Sequence, residues 1–283
     1  MPASPSSSAE AARQSLAARL RDLRLDAELT VRGLAERTGF SHSKVSRIEN
    51  TRTRPAPEDI RAWARACAAQ EQAEELVAAL RAVDGMWVEW SRMERAGLKA
   101  AQESVRPLYE RTHAHRVYDG WLIPGLLQTM AYTRAILHAT RRRRGLIDDV
   151  DAAVVERMDR QHVLYEGPRT FAFVLEESVL RNGIGGREVM REQLRHLLTA
   201  GFLPHVSLGI VPMQPDRAVQ RPVEDFWIFD SSQVAVELVS GYLTITQPRE
   251  ISMYARVFQE LHQLAVHGDS ARALIHEAIT ALG

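Results

Sequence analysis

Chemistry needs particular side chains at particular spacings, and for covalent catalysis this 283-residue chain offers few. No nucleophile elbow, Walker loop or paired-histidine zincin motif occurs in it. NGIGG at 182–186 is too short for a dinucleotide loop and reads as a turn before a helix. His113 and His115 would share one face of a strand, yet no third ligand matches them, so no metal or other cofactor is expected. The single cysteine, Cys67, excludes an internal disulfide and a zinc site built on paired cysteines. It reads as a small core residue in an alanine-rich helix, and no enzyme activity is expected.

The segment 31–50, VRGLAERTGFSHSKVSRIEN, points to recognition instead. A helix-turn-helix needs a small residue where its helices cross, a glycine with positive φ at the turn, and apolar anchors behind them. Ala35, Gly39, and Leu34, Val45 and Ile48 supply all of these at the required spacing. The expected chemistry is hydrogen bonding and charge pairing to double-stranded DNA.

The elements that must hold this segment are legible around it. Ser7 and Glu10 have capping-box spacing, and Leu16, Leu20 and Leu23 make residues 8–25 an amphipathic helix. Thr30 can cap a helix over 31–37 and Ser41 one over 42–49. Pro57 with Glu58 and Asp59 starts another. From Glu71, the pattern Leu76, Leu80, Val83, Trp87, Trp90 predicts one longer helix with a coiled-coil-like seam, either a core seam or a dimer contact.

Past residue 103 the texture changes. HAHRVYDGWLIPG is strand-like up to Pro124–Gly125, Leu126 and Leu127 enter the core, and helices are expected over 127–140 and 148–165. TFAFVLEE, HVSLGIVP, DFWIF, VAVEL and YLTI have strand length and β-branched content. A helix at 186–199 interrupts them, and helices at 248–267 and 269–282 close the chain. Tyr118, Trp121 and Trp227 are either core or the lining of a pocket. The arginine run at 141–144 faces Asp148, Asp149 and Asp151 as a connector, or else touches phosphate. The expected fold class is an all-α helix-turn-helix domain followed by a mixed α+β domain. The expected boundaries are a disordered tail at 1–10, the DNA-binding domain at 11–70, a connecting helix at 71–102 and the α+β domain at 103–283, joined near residues 95–105.

Charge agrees with this division. The 36 basic and 36 acidic residues cancel, but residues 1–56 hold 10 basic and 6 acidic ones, net +4. So small an excess calls for specificity and dimerisation to support DNA binding. No run approaches the ~18–20 apolar residues that cross a bilayer. The N-terminus lacks the regions of a signal peptide, so a cytoplasmic protein with no membrane partner is expected.

SHSKVSRIEN resembles the recognition helix of the lambda-repressor-like (Cro/C1-type, XRE) family. The resemblance implies that this helix lies in the major groove with His42, Ser43, Ser46 and Arg47 at base edges. Arg47 is the candidate for bidentate reading of guanine, or alternatively a phosphate clamp. Thr30, Lys44, Asn50, Thr51, Arg52 and Arg54 are the positions it sets against the DNA backbone. It also implies an ion pair between Arg24 and Glu49. Two departures stand out: Val31 where the family often has glutamine, and Thr51 where it favours glycine.

The second half resembles a group of actinobacterial regulators that includes the WhiJ-like ones. DGWLIPGLLQTMAYTRAIL matches their "VPGLLQT…YARA" signature, followed by ERMDRQHVL (156–164), LEESVLR (175–181) and GGREVMREQLRHLL (185–198). That resemblance implies an antitoxin-like regulator with a small protein partner encoded nearby. The expected function is a sequence-specific transcriptional regulator, a homodimer on an inverted repeat with half-sites ~34–36 Å apart. Control by a protein partner, control by a small molecule, and an adaptor that mainly sequesters its partner all stay open.

Overall fold

The computed structural model describes residues 7–89, 93–213, 217, 221–239 and 241–283, with backbone alone at 7–11 and 81–89. Two compact units divide it: residues up to Val88 with Leu243–Ile245, and Glu89–Tyr242 with Thr246–Gly283.

The first unit contains α1 (Ser7–Asp26), α2 (Val31–Thr38), α3 (His42–Glu49), α4 (Pro57–Ala66) and α5 (Ala73–Met86). Their apolar stripes meet in one core around Leu20, Leu34, Val45, Ile48, Ile60 and Trp63. Fully burying each such aliphatic side chain contributes about 1.5–3 kcal/mol. Trp63 is buried too, and its indole N–H stays satisfied by donating to the Leu20 carbonyl at 2.9 Å.

Three expectations change here. The backbone is already helical from Ser7, so the tail expected over 1–10 is shorter; residues 1–6 and the Ser7–Glu10 capping side chains lie outside the described residues. The connecting helix expected over 71–102 is not continuous. It stops at Met86, and Trp87–Glu89 form a short strand, β1. Gly85 weakens the helix end, and the aromatic and β-branched pair Trp87–Val88 favours extended backbone. Of the expected seam, Leu76 and Leu80 are buried in the head's own core. Trp90 and the side chains of Val83 and Trp87 lie outside the described residues.

The third change concerns the junction near 95–105, which is the start of a helix, α6 (Leu98–Arg111). Its first amides have no local cap. The Asp149 carboxylate, some fifty positions downstream, accepts from Leu98 N at 3.1 Å and Lys99 N at 2.9 Å. Gly97 is required there, because its φ is +97° and a Cβ would stand 2.3 Å from Asp149 Oδ2.

The rest of the second unit follows the sequence pattern. Strand β2 (Ala114–Asp119) leads through Pro124–Gly125 and a tight turn over Gly125–Leu127 into α7 (Met130–Arg144) and α8 (Val150–Asp159). Leu126 and Leu127 are buried, and Thr129 caps α7 by accepting from Tyr132 N at 3.3 Å. Then come β3 (Thr170–Glu176), α9 (Arg187–Ala200), β4 (Val206–Val211), β5 (Phe226–Phe229), β6 (Gln233–Glu237), β7 (Gly241–Ile245, its last three residues grouped with the first unit), α10 (Pro248–Leu264) and α11 (Gly268–Ala281). Five of these strands lie in the order β6-β5-β2-β3-β4. β2, β3 and β4 run parallel, with Ala114 opposite Thr170 and Phe171 opposite Val206, whereas β5 is antiparallel to both β2 and β6. Helical crossovers separate the parallel strands, as parallel pairing requires.

Candidate nucleic-acid interface

The recognition helix is set by its turn and by two internal charge pairs. Gly39 has φ +75°, the left-handed conformation that lets the chain reverse between α2 and α3. Ala35 is buried where the helices cross, and Thr30 and Ser41 cap α2 and α3 by accepting from Gly33 N and Lys44 N at 3.0 and 3.1 Å. On the inner side, Arg24 of α1 grips Glu49 of α3 with a two-pronged fork, Nε to Oε1 at 2.6 Å and Nη2 to Oε2 at 3.0 Å. Its Nη1 also donates to the Leu29 carbonyl at 2.7 Å. The pair is buried, and its hydrogen bond to Glu49 holds the Arg24 pKa above its usual value.

With Val45 and Ile48 turned inward, the i, i+4 repeat of a helix leaves the opposite face to solvent. His42, Ser43 and Arg47 are exposed on α3 and Ser46 is half-buried, so the four expected base-edge positions share one outward face. Neither Arg47 nor the exposed Arg52 pairs with a carboxylate among the described residues.

The expected backbone-contacting residues divide. Asn50 and Arg54 are exposed beside this face, and Asn50 Nδ2 donates to the Ser46 carbonyl at 2.8 Å. Thr51 takes the left-handed conformation, φ +57°, which explains why glycine suits this position. Thr30 has its hydroxyl engaged as the cap of α2. Lys44 is only half-exposed. Its Nζ donates to Asp59 Oδ1 at 2.6 Å and lies 4.3 Å from the centre of the Phe40 ring. Asp59, read in the sequence as an acid at a helix start, also accepts from Ala56 N at 3.0 Å, so it joins α3 to α4.

In the second unit, His115 is buried against Phe171, with ring centroids 4.8 Å apart, while His113 is exposed. Burial lowers the His115 pKa to about 4. No group of metal-ligating side chains occurs among the described residues. Arg141 pairs with Asp148 at 3.2 Å, and Arg144 pairs with Glu94, so the arginine run is partly tied down as a connector. Tyr118 is core, and Trp121 is 70% exposed. Trp227 does line a pocket, a cavity of about 200 Å³ between α6, α7, α8 and the sheet. Arg157, Arg160, Asp119, Asp225 and Glu237 also face it. No local signal marked this group, because its members come from elements far apart in sequence.

Residues 15–80 match the family described as "Helix-turn-helix domain", and residues 102–277, more than half of the chain, match "Domain of unknown function (DUF5753)". No curated protein matches the chain. Among solved structures it is similar to TrmBL2, an archaeal chromatin protein described as showing a novel mode of DNA binding. That match has 12% identity and a TM-score of 0.32, over 74% of this chain and 67% of that one. Among the described residues, no helix is long and apolar enough to cross a membrane.

Proposed function

The chain belongs to the DUF5753 family, and from that premise and its helix-turn-helix head we propose that it is a sequence-specific DNA-binding transcriptional regulator. The observation that carries the reading is the outward face of α3. There Arg47, His42 and Ser43 stand exposed on a helix anchored from behind by the Arg24–Glu49 fork. A rigid helix with free donors suits major-groove readout, and bidentate recognition of guanine by Arg47 would discriminate by about 1–3 kcal/mol. The head acts in the lambda-repressor-like manner, as a cytoplasmic homodimer on an inverted repeat, since one module makes too few base contacts for high selectivity.

The DUF5753 domain is the receiver that sets DNA occupancy. Its resemblance to antitoxin-like regulators supports a small protein partner as the controlling signal. A second reading, one-component control by a small molecule, is favoured by the polar cavity beneath α6, α7 and α8. Gel shift and footprinting on the DNA upstream of its own gene test the DNA reading. Wild type should protect a symmetric site, and Arg47→Ala should lose sequence preference more than nonspecific affinity. Equal affinity for random DNA at moderate salt would overturn it.

A further inference from the structure

The guanidiniums of Arg157 and Arg160 stand side by side at the cavity with no carboxylate in ion-pair contact among the described residues. What orients them is neutral. Gln102 Oε1 accepts from Arg157 Nε at 3.0 Å and from Arg160 Nη2 at 3.3 Å, and Gln128 Oε1 accepts from Arg157 Nη1 at 3.1 Å. Arg160 is buried, stacks its guanidinium 4.7 Å from the centre of the Tyr109 ring, and leaves Nε with no hydrogen-bond partner. Amide oxygens fix direction without cancelling charge, and the Glu237 carboxylate offsets the two adjacent cations through space without reaching ion-pair contact. Burial first, and then Arg160, lower the Arg157 pKa to about 10 against the opposing pull of Glu237.

The lining also carries the other sign. Asp119 and Asp225 are neighbouring carboxyls that act on each other, both with raised pKa values, that of Asp225 to about 6, burial being the first cause for each. Asp225 Oδ1 accepts from Gly120 N at 2.7 Å, and Asp119 Oδ1 from Leu122 N at 2.9 Å, so the pair is built into the chain after β2. Glu237, which acts on both Arg157 and Asp225, adds a third carboxyl to the lining, and the acid pair can accept hydrogen bonds. Trp227 and Ile136 also line the cavity. The cavity volume of about 200 Å³ leaves room for a small organic molecule.

We propose that this cavity binds a small monocarboxylic acid, its carboxylate on Arg157 and Arg160 and a hydrogen-bond donor at its far end on the Asp119–Asp225 pair. Planar guanidiniums match a carboxylate in two-pronged geometry. The inference deepens the receiver role proposed above and rests on that reading for its regulatory meaning.

Isothermal titration calorimetry on the full chain, with benzoate, 4-hydroxybenzoate, benzamide and inorganic phosphate as probes, tests it without DNA. Benzoate and 4-hydroxybenzoate should bind, the hydroxylated acid more tightly, and benzamide at least tenfold more weakly. Arg157→Gln should weaken both acids at least tenfold while leaving the thermal midpoint of the free protein unchanged or raised, because it relieves repulsion with Arg160. Asp225→Asn should remove the advantage of the hydroxyl and spare benzoate. Binding of neither acid, binding that survives Arg157→Gln, or tighter binding of phosphate would each overturn the proposal. A chain that takes up 4-hydroxybenzoate yet ignores its operator upholds the site and removes only the DNA reading.

Discussion

Glu49→Gln is the sharpest test of how the recognition helix is held. The substitution keeps shape and one acceptor oxygen but removes the negative charge beside Arg24. Both side chains of the pair are 7% exposed, and both prongs of the fork, at 2.6 and 3.0 Å, end on the lost carboxylate. Breaking a buried ion pair by removing one partner costs about 3–5 kcal/mol, because the surviving charge remains desolvated. The retained oxygen and the Arg24 bond to the Leu29 carbonyl place the cost near ~3 kcal/mol, the low end of that range. At ~1.4 kcal/mol per decade, amide protection across α1–α3 should fall about a hundredfold. Hydrogen exchange read by mass spectrometry on the full chain measures this locally, which matters because a two-unit chain need not unfold in one step. Replacing both partners with apolar residues, Arg24→Met with Glu49→Leu, should restore most of the protection. A change below tenfold for Glu49→Gln, or a double variant as labile as the single, would refute the reasoning.

Other outcomes follow from the same geometry. Thr51→Gly should stabilise the head by about 0.5–1 kcal/mol, since a left-handed β-branched residue costs ~1–2 kcal/mol against ~0.5–1 for glycine's extra chain entropy; the urea midpoint of the head checks it. Lys44→Met should lower head stability by about 1.5–3 kcal/mol, the worth of a hydrogen bond to a charged group. It should leave the slope of log affinity for DNA against log salt unchanged, whereas loss of a phosphate contact would reduce that slope by ~0.9. His115 is buried neutral with a pKa of about 4. The unfolded chain, with its histidine near ~6.5, therefore binds a proton that the fold refuses. Stability of the second unit should decline as pH falls from about 6.5 to about 4, by ~3 kcal/mol more than in His115→Phe, measured by urea unfolding at each pH.

The sequence carried the head's logic because that logic is local. Caps at Thr30 and Ser41, the turn at Gly39 and the small Ala35 each act within a few residues of where they stand. The strands were legible for the same reason, as short β-branched runs bounded by turns. Helix α6 was not, since its cap is Asp149 and Pro107 interrupts its pattern. Lys44 looked available because its partner lies fifteen positions away on another helix. The cavity was hidden most completely: Gln102, Gln128, Arg157 and Asp225 are unremarkable polar residues until tertiary packing brings them to one cavity.

Strand order has a consequence for how the chain comes to be folded. The core cluster described for the head draws on residues 16–80, so it can form soon after that stretch leaves the ribosome. Strand β2 must wait. Its partners are β3, some fifty-five positions on, and β5, whose Phe229 pairs with His115. At a synthesis rate of ~5–20 residues per second, the edge that β5 will cover stays open for about 5–20 seconds after β2 emerges. During that interval a finished head is tethered to an unpaired strand whose apolar side chains, Val117 and Tyr118 among them, lack their cover, an edge of the kind that seeds misassembly. Truncations ending before Phe226 should therefore yield chains with a native head that aggregate through β2.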